Sequence, residues 1–145
     1  MKTTNIQILE YLSVLQKFED KIFPQKISYA ILKNLQLFSK EQEVYTKALQ
    51  KILNAYEDKT IKNEDGSQKM DLSGLPVVDD EYKNDYYQEI TDLLLMEVNI
   101  TPYYVPEEIF DYDNPNGRYD TISPKEMFML VSILCKSTEE ANETE

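Results

Sequence analysis

At 145 residues and 17.0 kDa, the chain has the size of one compact domain with a single core, and 41% hydrophobic residues with 11% aromatics mark it as folded. It has no His, one Cys, one Arg and three Gly, so the residues needed for Ser-His-Asp or Cys-His catalysis, His- or Cys-rich metal sites and phosphate-cradling loops are missing. The net charge of -12 is uneven: 1–60 holds nine Lys against seven acidic residues (+2), and 61–145 holds five Lys and Arg118 against twenty (-14). That argues against a phosphate-binding C-terminal half.

The chain opens with helical spacing. Ile8, Tyr11, Leu12, Leu15, Phe18 and Ile22 recur every three or four residues, with Thr4 or Asn5 as the cap and Pro24 ending or kinking the helix. A second stripe follows over 25–56: Ile27, Ala30, Ile31, Leu35, Phe38, Tyr45, Leu49, Ile52, Leu53 and Tyr56. No Gly or Pro interrupts it, and its other side is solvated by Lys and Glu. Together the two helices read as an αα-hairpin over 1–58. Asn34 falls on the apolar side and is expected to bond internally.

The pattern breaks over 59–80, where Asp65-Gly66 signals a turn in a loop or small hairpin. Helical spacing returns with Tyr82, Tyr86, Ile90, Leu93 and Leu94 after a run of acids. "MEVNITPYYVP" then alternates as a short strand, cut by Pro102 and closed by Pro106. Ser123, Pro124 and Glu126 spell a capping box for a last helix with Met127, Leu130, Val131 and Leu134 inward. No internal repeat is evident. The expected fold is mainly α with a minor β element: one domain over 1–136, of which 81–136 holds the acidic helix, strand, acidic loop and C-terminal helix, and a frayed acidic tail over 137–145.

No apolar run reaches the roughly 20 residues of a membrane span. The N-terminus lacks the apolar core and small-residue cleavage site of a secretory signal. A single cysteine, Cys135, forms no internal disulfide, so an intracellular protein is expected; among Ile133 and Leu134 it reads as a small buried hydrophobe.

Carboxylates are the remaining candidates for chemistry. Asp85, Glu89 and Asp92 share one face of the third helix at i, i+4 and i+7, a spacing that carries glycosidase or Mg²⁺ chemistry but is far more common on a solvated face. "DYDNPNGRYD" from Asp111 resembles a calcium loop only at its first and third positions. Pro115, Asn116 and Ile122 stand where an EF-hand needs an oxygen ligand, Gly and Glu. Asn114-Pro115-Asn116-Gly117 reads as a turn. The expectation is therefore no catalytic residue, no cofactor and no metal.

The aromatic and acidic residues around this turn have the composition of an interface: Tyr103, Tyr104, Glu107, Glu108, Asp111, Tyr112, Asp113, Arg118, Tyr119 and Asp120. The competing reading for each tyrosine is a core rim with its hydroxyl in water.

Over 11–58 the chain resembles a family of short proteins encoded by bacteriophages and prophages of Gram-positive bacteria, a family without an assigned function. The resemblance rests on Pro24, Lys26, Tyr29, Lys33, Asn34, Tyr45 and Tyr56. It is fainter over 89–134, and the stretch 103–120 is longer than the family pattern. It implies a small viral protein in the host bacterial cytoplasm and carries over no catalytic or ligand residue. The expected activity is non-enzymatic binding of a host or phage protein with a basic surface, as in an inhibitor of a bacterial defence system whose acidic part imitates nucleic acid. Neither direct nucleic-acid binding nor membrane contact is expected. The alternative is a virion assembly factor that oligomerises through the long helix.

Overall fold

A computed structural model describes residues 2–137; the tail from 138 onward, expected to fray, lies outside the described residues. The fold is mainly α. In order come β1 (Lys2–Thr4), α1 (Asn5–Gln16), α2 (Gln25–Ala55), a 3₁₀ turn (Glu57–Lys59), α3 (Lys83–Leu94), β2 (Glu97–Asn99), a second 3₁₀ turn (Glu107–Phe110) and α4 (Pro124–Leu134). The chain divides into two compact units, residues 1–42 with 97–145, and residues 43–96, where the sequence suggested one domain. α2 contributes residues to both.

In the first unit β1 and β2 pair antiparallel, with Thr3 opposite Val98. The strand at 97–99 was expected; its partner was not, because three residues show no alternation. Thr4 caps α1: the Gln7 N–H donates to the Thr4 hydroxyl at 3.4 Å and the Thr4 N–H donates to Gln7 Oε1 at 3.1 Å.

α1 stops at Gln16, well short of Pro24. Lys17, Phe18, Glu19 and Lys21 instead form successive tight turns, each N–H reaching the carbonyl three residues back. This corrects the expected stripe. Phe18 still enters the core, but Ile22 is exposed, because its backbone is held elsewhere. The Ile22 N–H donates to the Asp120 carboxylate at 2.6 Å, and the Asp120 N–H donates to the Ile22 carbonyl at 2.7 Å. Pro24 begins α2: its carbonyl accepts from the Ile27 and Ser28 N–H groups. Ile8, Leu12, Leu15, Ile27, Ile31, Phe38, Leu130 and Leu134 make up most of this unit's core. The capping box of α4 forms as expected, with the Glu126 N–H on Ser123 Oγ at 3.2 Å and the Ser123 N–H on Glu126 Oε1 at 3.0 Å.

In the second unit the segment 59–80 is neither a loop nor a single hairpin. Ile61, Lys69 and Val77, spaced eight apart, close a ring of backbone bonds. The Ile61 N–H donates to Val77, the Val77 N–H to Lys69 and the Lys69 N–H to Ile61, at 2.8–2.9 Å. Three arms leave the ring, closed by Asn63 on Ser67, Asp71 on Leu75 and Asp79 on Lys59. Two arms end in turns through Gly66 (φ +87°) and Gly74 (φ +83°), conformations that favour glycine. A structural period of eight thus exists where no repeat was read. Val78, Tyr86 and Ile90 form the core beneath, with Leu49, Ile52 and Leu53 from α2, and Tyr56 just after it, around them.

Among the described residues, no helix is long and apolar enough to cross a membrane.

Candidate functional site

The ten expected contact residues all lie in the first unit, and the structure separates them into three groups. Tyr103 is drawn to α2. Its N–H donates to Asn34 Oδ1 at 2.9 Å, Asn34 Nδ2 donates to its carbonyl at 2.8 Å, and its ring meets Tyr29 edge-on at 5.4 Å. Tyr103 as a whole remains 43% exposed, and the Lys33 ammonium lies 5.6 Å from the centre of the Tyr29 ring.

Tyr112, Arg118, Tyr119 and Asp120 form a self-contained loop. Tyr112 and Tyr119 are half-buried and pack edge to face at 5.6 Å, with the Arg118 guanidinium 5.5 Å from the Tyr119 ring centre. Asn114 closes the loop like a strand neighbour: Nδ2 donates to the Tyr119 carbonyl at 2.9 Å and Oδ1 accepts from the Tyr119 N–H at 3.0 Å. Asp120 is committed to Ile22. Asp113 is exposed on the same loop. The turn reading of 114–117 therefore holds, with the Gly117 N–H on the Asn114 carbonyl at 3.2 Å, and the Asn114 amide is spent on closing the loop while Asp120 ties it to Ile22.

Tyr104, Glu107, Glu108 and Asp111 make the third group, an acidic ridge on the second 3₁₀ turn. The three acids are exposed. A hollow of about 340 Å³ on one side is lined by Tyr104, Val105, Pro106, Glu107, Cys135 and Lys136. Another of about 320 Å³ has Glu107, Glu108 and Asp111 at its rim and Phe110, Met127 and Val131 below. Acids over an apolar floor suit a lysine or arginine side chain, whose stem packs while its head pairs. The ion pairs of the described residues, Lys47–Glu43, Lys59–Asp58 and Lys83–Asp80, do not involve this ridge. Its field is felt by Cys135: burial first, then Glu107 and Glu108, push the thiol above its ordinary range. A raised pKa suppresses the thiolate, so this half-buried cysteine is poorly suited to nucleophilic work.

In the second unit, Asp85, Glu89 and Asp92 are exposed on α3. Gln88 Nε2 donates to Asp92 Oδ1 at 2.7 Å, and Glu89, by accepting the Tyr56 hydroxyl, helps push Tyr56 up to about 12. Two of the three acids are thus engaged on a solvated face. Among the described residues, no group of three or more His, Cys, Asp or Glu is placed to hold a metal ion.

No protein-family model matches the chain, and comparisons with curated proteins and with solved structures returned no significant match.

Sequence reasoning found the acids of the ridge but missed two outward groups. Tyr29 was noted only for the family pattern, although Tyr29 and Lys33 at i, i+4 signal a shared face. Phe128 lies off the inward stripe of Met127, Leu130, Val131 and Leu134, and nothing in the α4 spacing marks it as uncovered.

Proposed function

We propose that this chain is a non-enzymatic protein-binding protein whose acidic ridge, Glu107, Glu108 and Asp111, receives a basic segment of a partner. The observation that carries the reading is the second hollow: three exposed carboxylates rim an apolar floor of Phe110, Met127 and Val131. With twenty acidic residues over 61–145 against six basic ones, the C-terminal part attracts cationic surfaces at long range and repels polyanions. The partner is a host or phage protein with a basic surface. A nucleic-acid-binding defence protein of the host fits this description, with the ridge competing for its phosphate-binding side chains. The resemblance to phage-encoded proteins supports this setting and the bacterial cytoplasm as its place.

Affinity capture from host lysate, repeated with Glu107→Lys/Glu108→Lys protein, tests the reading. A captured protein should be lost with the charge reversal, and its affinity for the wild type should fall as salt shortens the screening distance below about 8 Å. Binding indifferent to both salt and the reversal overturns the proposal. The second reading, a virion assembly factor joined through α2, is supported by Leu32, which is 53% exposed on that helix. An oligomer abolished by Leu32→Asp would favour it.

A further inference from the structure

We propose that α1 and α4 form a self-complementary face through which two copies of this chain associate as a two-fold dimer. The strongest anomaly of the first unit is Phe128, which is 77% exposed on α4. From Met127 to its end at Leu134 that helix carries no charge, and α1 carries only Glu10 over its twelve residues. A helix apolar on every side belongs in an interior, yet α4 leaves one side uncovered.

Phe128 is itself one wall of a hollow of about 170 Å³, whose other lining residues are Glu10, Tyr11, Val14, Met129, Ser132 and Ile133. A cavity of roughly 150 Å³ takes a benzene ring, so the hollow suits a phenyl side chain. Knob and hole thus share one surface, the exposed ring of Phe128 forming the edge of the hollow. That is the arrangement a two-fold interface requires, each copy giving Phe128 and receiving its partner's.

Electrostatics selects a second copy as the occupant. Molecules of net charge -12 repel one another wherever their acids face, and this is the charge-poor surface. The two charges that border it are complementary. Glu10 lines the hole, and Lys125 stands three residues before Phe128, on the same side of α4 one turn earlier. Seating Phe128 in the hole of the other copy brings Lys125 towards that copy's Glu10, and the two-fold axis repeats the pair. Among the described residues neither Glu10 nor Lys125 has an ion-pair partner within its own chain.

Sedimentation velocity on the full chain over a concentration series tests the dimer. The wild type should be dimeric, and Phe128→Asp should raise the dimer dissociation constant at least tenfold while thermal unfolding of the monomer stays cooperative. The charge variants report independently of that substitution. Glu10→Lys and Lys125→Glu should each weaken association, and the double variant should restore it, because exchanging both signs preserves the attraction between Glu10 of one copy and Lys125 of the other. A wild type that stays monomeric throughout, or a dimer indifferent to Phe128→Asp and to the charge exchange, overturns the proposal.

Discussion

Asn34 and Tyr103, 69 positions apart, hold each other as strand neighbours do. Asn34 Oδ1 accepts the Tyr103 N–H and Asn34 Nδ2 donates to the Tyr103 carbonyl, while the same amide also donates to Ala30 within α2 at 2.9 Å. A fully buried amide thereby spends its donors and acceptor on backbone groups and fixes the segment entering the acidic ridge. Asn34→Ala leaves the Tyr103 N–H and carbonyl without partners. It should cost about 2–3 kcal/mol in chemical denaturation, since each orphaned group costs about 1–3 kcal/mol. Tyr103→Phe keeps the backbone pair and should stay within about 0.5 kcal/mol. Equal losses in the two variants would show that the Tyr103 hydroxyl matters as much as the amide clamp in holding the segment.

Asp71 organises the second arm of the three-armed ring. Its carboxylate accepts from the Ser73 hydroxyl at 2.7 Å, the Ser73 N–H at 2.9 Å, the Leu75 N–H at 3.0 Å and the Tyr87 hydroxyl at 2.9 Å. These bonds, that of the Ser73 hydroxyl foremost, lower its pKa to about 2. A carboxylate depressed on folding contributes stability that is complete above its unfolded value near 4 and is lost as pH falls through the folded one. Thermal stability should therefore decline between about pH 4 and pH 2, and Asp71→Asn should flatten that part of the profile. A carboxyl carbon resonance of Asp71 that titrates near 4 would remove the basis for this expectation.

At alkaline pH the sign reverses. Burial pushes the Tyr86 hydroxyl up to about 12, and that hydroxyl donates to the Pro76 carbonyl at 2.8 Å. A tyrosine raised on folding stabilises fully below its unfolded value near 10, and the contribution fades as pH climbs towards the folded one. Tyr86→Phe should cost about 1–2 kcal/mol at neutral pH, by leaving the Pro76 carbonyl unpaired. It should also lessen the loss of stability between about pH 10 and 12. An unchanged alkaline transition would place that loss in another group, such as Tyr56.

Cys135 reports the field of the acidic ridge. Because Glu107 and Glu108 add to the burial that raises its thiol, Glu107→Gln/Glu108→Gln should lower that pKa and speed modification by a neutral disulfide reagent at a fixed, mildly alkaline pH. Modification at the wild-type rate would mean that the ridge exerts no field at its nearer hollow, weakening the case for a cationic partner there.

The acidity of the candidate surface was legible because charge is a property of composition. Which tyrosines face outward was not. Tyr103, Tyr112 and Tyr119 look alike in sequence, yet one is clamped to α2 while the other two pack on each other. The end of α1 was hidden as well: Ile22 continues the apolar spacing, yet the helix stops at Gln16 and the Ile22 backbone is paired with Asp120, far along the chain.

Local rules sufficed for the presence of the helices and for the start of α4, because a helix satisfies its backbone within four residues and its start can be announced by nearby side chains, as Ser123 and Glu126 do. The amino-acid sequence alone therefore determined the mainly helical class, the long α2, the acidic α3 and the capped α4. Tertiary structure decided the pairing of Thr3 with Val98, the ring of Ile61, Lys69 and Val77, the Asn34–Tyr103 clamp and the exposure of Phe128. Each of these depends on which distant backbone or side chain arrives to satisfy a donor or cover an apolar surface, and no neighbouring residue records that arrival.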